Sequence, residues 1–221
     1  MVTTKYNYSV MKNPDSHFSQ EQMDLIEDHT ELIEYRLFFR FLRTSGRRVT
    51  EVLGREEYIN NYRSKKTKDI LRKKYFEVKG ITPNDIRKDG LVIFNILKQH
   101  EAVRAPKAID KKTMELLKDY IAMKGIKDDE PIFKFNRFQA HYRLRKACRN
   151  ANIRLQGGVK PHLHMYRHSF CIHIIKTAQT PQALRMLQQH LHHSKLDITA
   201  HYLQFSQKEK KEMIEKTFRG I

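Results

Sequence analysis

The apolar residues of this chain follow the period of an α-helix along most of its length, and they change to the period of a strand after Gly80. The stretches "ELIEYRLFFRFLRTSG" and "KKTMELLKDYIAMKG" repeat apolar residues every three or four positions, and each ends at a glycine. The stretch "DGLVIFNILK" is instead short and rich in branched residues, with Gly90 at a turn. This pattern predicts a mainly helical α+β architecture with a small antiparallel sheet.

Local signals place the other elements. Ser19 and Gln22 have the spacing of a capping box, which predicts that a helix begins at "SQEQMDLIEDH". A short helix is expected to open at "RRVTEVLG", and a long one covers "NRFQAHYRLRKACRNAN". Further helices are predicted over residues 166–176, 181–190, 197–204 and 207–218. After Gly80, two extended segments are predicted to form a hairpin with Lys98 at its tip.

The size and composition of the chain fit one soluble domain. With 221 residues and 39% hydrophobic content, the chain can bury one substantial core. No window approaches the roughly 20 consecutive apolar residues that a membrane span needs, and no signal peptide is visible. Cys148 and Cys171 are too few for a disulfide framework and fit a reducing compartment, so we expect both to be buried. These features predict a cytoplasmic protein.

The chain is strongly basic. Its 43 Lys and Arg residues oppose 25 Asp and Glu residues, which leaves a formal net charge of +18. Such a surplus attracts polyanions, so nucleic acid is the predicted partner and the nucleoid the predicted location. The first 30 residues carry two lysines against five acids. We therefore do not expect the start of the chain to form the binding surface.

The most basic segment covers residues 62–79, "YRSKKTKDILRKKYFEVK", where eight Lys and Arg residues oppose two acids. Such a segment is predicted to be exposed. Two interpretations are equally open, namely contact with a polyanion and an ordinary solvated helix face. The residues predicted to contact DNA are Arg63, Lys65, Lys66, Lys68, Arg72, Lys73 and Lys74.

Four short motifs carry residues suited to phosphate chemistry. They are "SGRRVTE", the hairpin tip, "HMYRHSF" and "LHHSKLDITAHY". Each is weak by itself, because short combinations of Arg, His and Tyr arise easily in a chain with 12 His. Their order and local spacing are together much more specific. The residues concerned are Arg48, Glu51, Lys98, His164, Arg167, His193 and Tyr202.

In these motifs the chain resembles the tyrosine recombinases, also called phage-type integrases, whose signature is Arg, Lys, His-x-x-Arg, His or Trp, and Tyr. The resemblance extends over about residues 19–218 and implies the helical DNA breaking-rejoining fold. It implies a catalytic domain over residues 19–205, with a basic insertion at about 55–79. Residues 1–18 are then an N-terminal extension, and residues 206–221 are a helical tail that docks on a neighbouring protomer or packs within its own chain.

The resemblance implies a site-specific recombinase or integrase that acts on double-stranded DNA as a dimer or tetramer. Tyr202 would attack a phosphodiester, leaving a covalent 3′-phosphotyrosine and a free 5′-hydroxyl, without ATP, metal or other cofactor. Arg48 and Arg167 would clamp the phosphate, because guanidinium groups are permanently charged and bind phosphate in a bidentate manner. Two rival functions are a DNA-binding accessory protein with an idle site and a topoisomerase-like DNA-relaxing enzyme.

The remaining signature residues receive supporting roles. His164 and Arg167 lie three apart, so they share one face of a helix. His164 would bind the phosphate or accept the proton of the tyrosine, and His193 would hydrogen-bond a non-bridging oxygen. Lys98 would be the general acid toward the 5′-oxygen, with Lys107 and Lys88 as alternatives. Glu51, one helical turn from Arg48, would orient it.

Three features depart from the family pattern or compete with it. Pairs of histidines at residues 162, 164, 192 and 193 suggest a metal site, but neither cysteine has a second thiolate nearby, and we predict no metal. His192 replaces the glycine that is usual in the family. About 18 residues precede the predicted catalytic domain, so the chain is expected to be either a catalytic domain cut from a longer protein or a minimal enzyme.

Overall fold

The computed structural model describes residues 17–58, 75–98, 101–178, 181–191 and 215. The elements, in chain order, are α1 (Gln20–Asp28), α2 (Ile33–Ser45), α3 (Val49–Leu53), β1 (Gly54–Tyr58), β2 (Tyr75–Lys79), β3 (Leu91–Lys98), β4 (Glu101–Ala108), α4 (Lys111–Lys124), α5 (Arg137–Asn150), α6 (His164–Ala178) and α7 (Pro181–Leu191). This order confirms the prediction of a mainly helical fold with a small amount of antiparallel sheet.

The predicted helix boundaries follow from local capping. The Ser19 hydroxyl accepts from the backbone N–H of Gln22 at 3.1 Å, and the Gln22 side chain accepts from the N–H of Ser19 at 3.0 Å. This is the capping box that the sequence predicted at the start of α1. Helix α2 ends at Gly46 and α4 at Gly125, both in the left-handed region, also as predicted.

Helix α2 lies at the centre of the main core and contacts α1, α4 and α6. Its residues Phe38, Phe39, Phe41 and Leu42 are fully buried. Each such side chain stabilises the fold by about 1.5–3 kcal/mol when it leaves water. A second, smaller cluster joins α6 to α7 through Cys171, Ile175, Leu187 and Leu191. Both cysteines are free and buried, as predicted.

The strands form two hairpins among the described residues. Strands β3 and β4 pair antiparallel from Leu91↔Ala108 to Lys98↔Glu101, which confirms the predicted hairpin and places Lys98 at its last pair. Strands β1 and β2 pair from Gly54↔Lys79 to Tyr58↔Tyr75. The sequence prediction missed this second hairpin, because its strands flank a segment whose charge obscures any strand alternation.

Several predictions fall outside the described residues. They include the helices expected over residues 197–204 and 207–218 and the part of the basic segment that carries its seven predicted DNA-binding residues. Among the described helices, none is both long and apolar enough to cross a membrane.

Candidate active site

The site is organised by the sharp turn between α2 and α3. Gly46 ends α2 with φ of 61°, a conformation that favours glycine. A Cβ atom at this position would lie 2.4 Å from the Cδ1 atom of Phe170 on α6. Glycine is therefore required at this position for two reasons, namely its backbone angle and the close approach of α6. Arg47 and Arg48 follow directly after this glycine.

Glu51 holds Arg48 in place. The Glu51 side chain is 1% exposed. Its carboxylate accepts from the Arg48 backbone N–H at 3.1 Å and from the Arg48 Nη1 at 3.2 Å. Arg48 keeps 32% of its side chain exposed. The guanidinium group is thus oriented from behind by Glu51 while part of it remains open to solvent, where a ligand can reach it.

Arg167 joins the ends of two helices. It lies on α6 and is 2% exposed. Its Nη1 donates to the Gly46 carbonyl at 2.9 Å, and its Nη2 donates to the Leu191 carbonyl at 3.1 Å. These two carbonyls lie at the C-terminal ends of α2 and α7. Because a helix carries partial negative charge at this end, both helices stabilise the buried guanidinium.

His164 lies one turn before Arg167 and close to both arginines. Its ring packs edge-on against the ring of His168, with centroids 4.7 Å apart. Partial burial of the ring, followed by the charges of His168, Arg167 and Arg48, lowers the pKa of His164. The residue as a whole stays exposed. The structure therefore brings together Arg48, His164 and Arg167 of the predicted site.

His168 is buried, and its imidazole is shielded from protonation. Burial, together with His162, Arg167 and His17, lowers the pKa of His168 to about 4. Both rings of the His164–His168 pair are therefore neutral at pH 7. A neutral imidazole offers one donor and one acceptor nitrogen.

Arg47 is a site residue that the sequence prediction missed. It is 1% exposed, and its Nη2 donates to the His190 carbonyl at the end of α7. Its guanidinium carbon lies 5.6 Å from the centre of the Phe94 ring, and its Nη1 lies 3.7 Å from Glu51. Burial lowers the pKa of Arg47 to about 10 against the attraction of Glu51, with Arg167 and Arg48 adding to the lowering. The available signal was the pair of consecutive arginines in "GRRVTE".

Lys107, an alternative for the catalytic lysine, lies beside this cluster. It is half-buried on β4, and its Nζ donates to the Gln189 carbonyl at 3.2 Å. Burial and the charge of Arg47 lower its pKa to about 8, although Glu51 opposes the shift. Lys88 is exposed in the turn before β3. The side chain of Lys98 and the whole of His193 and Tyr202 lie outside the described residues.

A second basic feature runs along α5. Arg137, His141 and Arg145 are spaced four residues apart and therefore share one face of the helix. Burial together with both arginines lowers the pKa of His141 and of His162. The α5 stripe, formed by Arg137, His141 and Arg145, thus extends to His162, two residues before His164. Its four-residue spacing was visible in the sequence.

The arrangement is suited to a phosphate group. Arg47 and Arg48 lie beside the buried carboxylate of Glu51, and Arg167 lies near Arg47 and His164. Guanidinium groups held by a carboxylate and by helix ends need no reorganisation when an anion arrives, so they can stabilise charge that develops on phosphate oxygens. Arg48 and Arg167 can therefore bind and polarise a phosphodiester.

Comparison with known proteins finds one matching family model and several similar solved structures. A family model described as "Phage integrase family" matches residues 68–209. Among solved structures, the fold is similar to XerA recombinase, with a TM-score of 0.65 at 14% identity over 91% of this chain and 63% of that one. It is also similar to XerH site-specific recombinase bound to palindromic difH substrate in a post-cleavage complex, with a TM-score of 0.64 at 15% identity over 95% of this chain and 55% of that one.

A third similar structure is a lambda integrase dimer bound to a COC' core site, with a TM-score of 0.56 at 14% identity. It is matched over 84% of this chain and 47% of that one. The chain therefore spans about half to two thirds of these proteins. At such low identity, the likeness concerns the fold. No curated protein sequence matches the chain.

Proposed function

Because the chain belongs to the phage integrase family, we propose that it is a site-specific recombinase that cleaves and rejoins double-stranded DNA through a covalent 3′-phosphotyrosine at Tyr202. The observation that carries this proposal is the grouping of Arg48, His164 and Arg167, with Arg48 held by the buried carboxylate of Glu51. In the transition state the non-bridging oxygens of the phosphate gain negative charge. Two preorganised guanidinium groups offset that charge.

Chain connectivity supports the participation of His193. His193 follows Leu191 by two residues in the sequence. The Leu191 carbonyl accepts from Arg167. We propose that the ring of His193 donates a hydrogen bond to a phosphate oxygen.

The proton transfers divide between two residues. Tyr202 loses its proton as its oxygen attacks phosphorus, and neutral His164 can accept that proton. The 5′-oxygen leaves as the phosphotyrosine bond forms, and Lys98 supplies a proton to it. The reverse reaction, in which a 5′-hydroxyl attacks the phosphotyrosine, rejoins the strand. The bond energy is kept in the tyrosyl ester, so the cycle needs neither ATP nor a metal cofactor.

The DNA partner is proposed to contact two basic surfaces. One is the basic segment with Arg63, Lys65 and its neighbours. The other is the α5 stripe, which leads from Arg137 to His162 beside the cluster. Contacts of this kind neutralise phosphates along a duplex and position it. We further propose that the protein acts in the cytoplasm, that residues 19–205 form the catalytic domain, and that assembly as a dimer or tetramer on DNA involves the tail over residues 206–221.

The test is a nicked suicide substrate made from the attachment sequence that flanks the gene. In EDTA, the protein is expected to form a covalent adduct with this duplex, and Tyr202→Phe is expected to abolish the adduct. The matched control is Tyr142→Phe, which removes the hydroxyl of an exposed tyrosine on α5. Absence of an adduct, with binding intact, would favour an accessory DNA-binding protein instead. Relaxation of a supercoiled plasmid without strand exchange between two duplexes would indicate a topoisomerase-like enzyme.

A further inference from the structure

The end of α7 is held by three cations from three separate parts of the chain. The Gln189 carbonyl accepts from the Nζ of Lys107 at 3.2 Å. The next two carbonyls, of His190 and Leu191, accept from the guanidinium groups of Arg47 and Arg167. Three successive carbonyls of one helix end are thus bound by β4, by the α2–α3 turn and by α6.

This arrangement brings like charges together. Burial, followed by the charge of Arg47, lowers the pKa of Lys107, and burial, with a smaller contribution from Arg167, lowers the pKa of Arg47. Lys107 and Arg47 are thus each destabilised by a neighbouring cation. The opposing attractions come from Glu51 and from the helix ends, whose carbonyls carry partial negative charge. An uncharged or local cap would satisfy the same carbonyls without this repulsion. The convergence of cations therefore points to a function besides closing the helix.

We propose that Lys107 and Arg47 are positioning residues for the proposed cleavage reaction, because they fix the end of α7 and thereby the segment that carries His193. This inference rests on the proposed function. Of the three cations, Arg167 belongs to the family signature and Arg47 does not, while Lys107 is an alternative to Lys98 for the signature lysine. Lys107 and Arg47 act through the backbone of α7 and need not touch the DNA.

A second contact makes the position of this helix end more specific. The Nε2 of His190 lies 2.8 Å from the Ser45 carbonyl, and since a carbonyl can only accept, Nε2 carries the proton. The ring of His190 stacks on Phe170, with centroids 5.3 Å apart. These two contacts therefore restrict both the rotation of the α7 end about its axis and its position along that axis relative to α2. Misplacement of a catalytic group by about 1 Å can lower a rate by about 10²-fold.

Lys107 is the better residue to test, since it is half-buried and its replacement leaves the main core intact. Lys107→Met keeps the length of the side chain and removes the ammonium group. Lys107→Arg restores a donor with a positive charge. Lys112→Met, on the exposed face of α4, is the matched control for loss of one positive charge from the protein.

The first measurement is hydrogen exchange of the backbone amides over residues 181–195 in the full chain without DNA. Lys107→Met is expected to exchange faster there than wild type, Lys107→Arg to return toward wild type, and Lys112→Met to be unchanged. This result does not depend on any catalytic activity. Unchanged exchange in Lys107→Met would overturn the proposal.

The second measurement is the single-turnover rate of adduct formation on the nicked duplex, with the affinity for that duplex measured in parallel. Lys107→Met is expected to lower the rate about 10- to 100-fold at unchanged affinity, with partial rescue by Lys107→Arg. Slower cleavage with unchanged exchange would overturn the positioning role, because Lys107 would then act on the DNA itself. If wild type forms no adduct, the proposed function fails, while the exchange result still decides whether Lys107 fixes α7.

Discussion

Helices α4 and α7 end in opposite ways. At the end of α4, the N–H of Gly125 donates to the Ala122 carbonyl at 3.2 Å, and the N–H of Ile126 donates to the Ile121 carbonyl at 3.1 Å. These bonds form a cap within six consecutive residues. At the end of α7, the carbonyls are bound by side chains that are 24, 82 and 143 residues away.

The end of α4 is closed by its own backbone. The end of α7 is instead bound by side chains of the proposed active site and of the residues next to it. The cap at the end of α4 uses only neighbouring backbone groups, so these bonds do not link that helix end to another element. The cap of α7 couples its position to α2, α6 and β4. The end of α2 combines both arrangements, because Gly46 adopts the same left-handed conformation as Gly125 while its carbonyl accepts from Arg167.

The largest effect is expected when the link between the ends of α2 and α7 is removed. Arg167→Gln takes away the guanidinium that joins the carbonyls of Gly46 and Leu191. It also removes a permanent charge from the proposed phosphate site. Adduct formation is expected to fall by at least about 10² to 10³. The single-turnover rate on the nicked duplex measures this loss.

Arg154→Gln, at an exposed position after α5, is the control for that experiment and is expected to keep the rate within a few-fold. Arg167→Lys retains charge without the forked geometry and is expected to recover little of the lost rate. A fully active Arg167→Gln variant would show that the link between the two helix ends has no catalytic role.

The next largest effect is expected from alanine substitution of the glycines that end α2 and α4. Gly125→Ala places a side chain in a left-handed residue with open space around it, so it is expected to lower the free energy of unfolding by about 1–2 kcal/mol. Gly46→Ala adds a collision with Phe170 to the same backbone strain, and about 2–5 kcal/mol is expected. Urea unfolding of both variants gives the two values. Equal losses of unfolding free energy in the two variants would show that Phe170 on α6 can move away from the added methyl group at little cost.

A smaller effect is expected from pH. Burial near Arg47, Lys107 and Arg167 lowers the pKa of His190 to about 4, although the hydrogen bond to Ser45 opposes the shift. An unfolded histidine titrates near about 6.5. The unfolded chain therefore binds the proton first as the pH falls. Stability that is present above pH about 6.5 is lost progressively as the pH approaches 4.

His190→Gln removes this titration, and its side-chain amide can still donate to the Ser45 carbonyl. The loss of unfolding free energy between pH 7 and pH 4 is expected to be about 1–3 kcal/mol smaller in the variant than in wild type. Chemical unfolding at both pH values measures the difference, and carboxylates contribute equally to both proteins. Identical pH dependence would mean that the pKa of His190 is the same in the folded and unfolded chains.

The sequence predicted the elements that local signals control. The capping box at Ser19, the glycines at 46 and 125, and the hairpin that ends at Lys98 are each defined within a few residues, and each is present. The prediction missed the β1–β2 hairpin, because pairing across a long charged segment has no local signature. The spacing of apolar residues indicates best whether a helix or a strand is present.

The composition of the site could be predicted only in part. The order of the motifs indicated Arg48 and Arg167, and the structure places both beside His164. Periodicity does not distinguish which of two consecutive arginines turns inward, so the burial of Arg47 was not foreseen. Lys107 lies 60 residues after Arg47, and their proximity depends on how the hairpin packs on α3 and α7. Such contacts depend on tertiary structure, which no local pattern encodes.

The most direct test of the account is a crystal structure of the Tyr202→Phe variant bound to its nicked duplex. We expect the guanidinium groups of Arg48 and Arg167 to donate to oxygens of one and the same phosphate, at the scissile position, with N···O distances of about 2.7–2.9 Å. Arginines bound to different phosphates, or neither bound to any, would contradict the account.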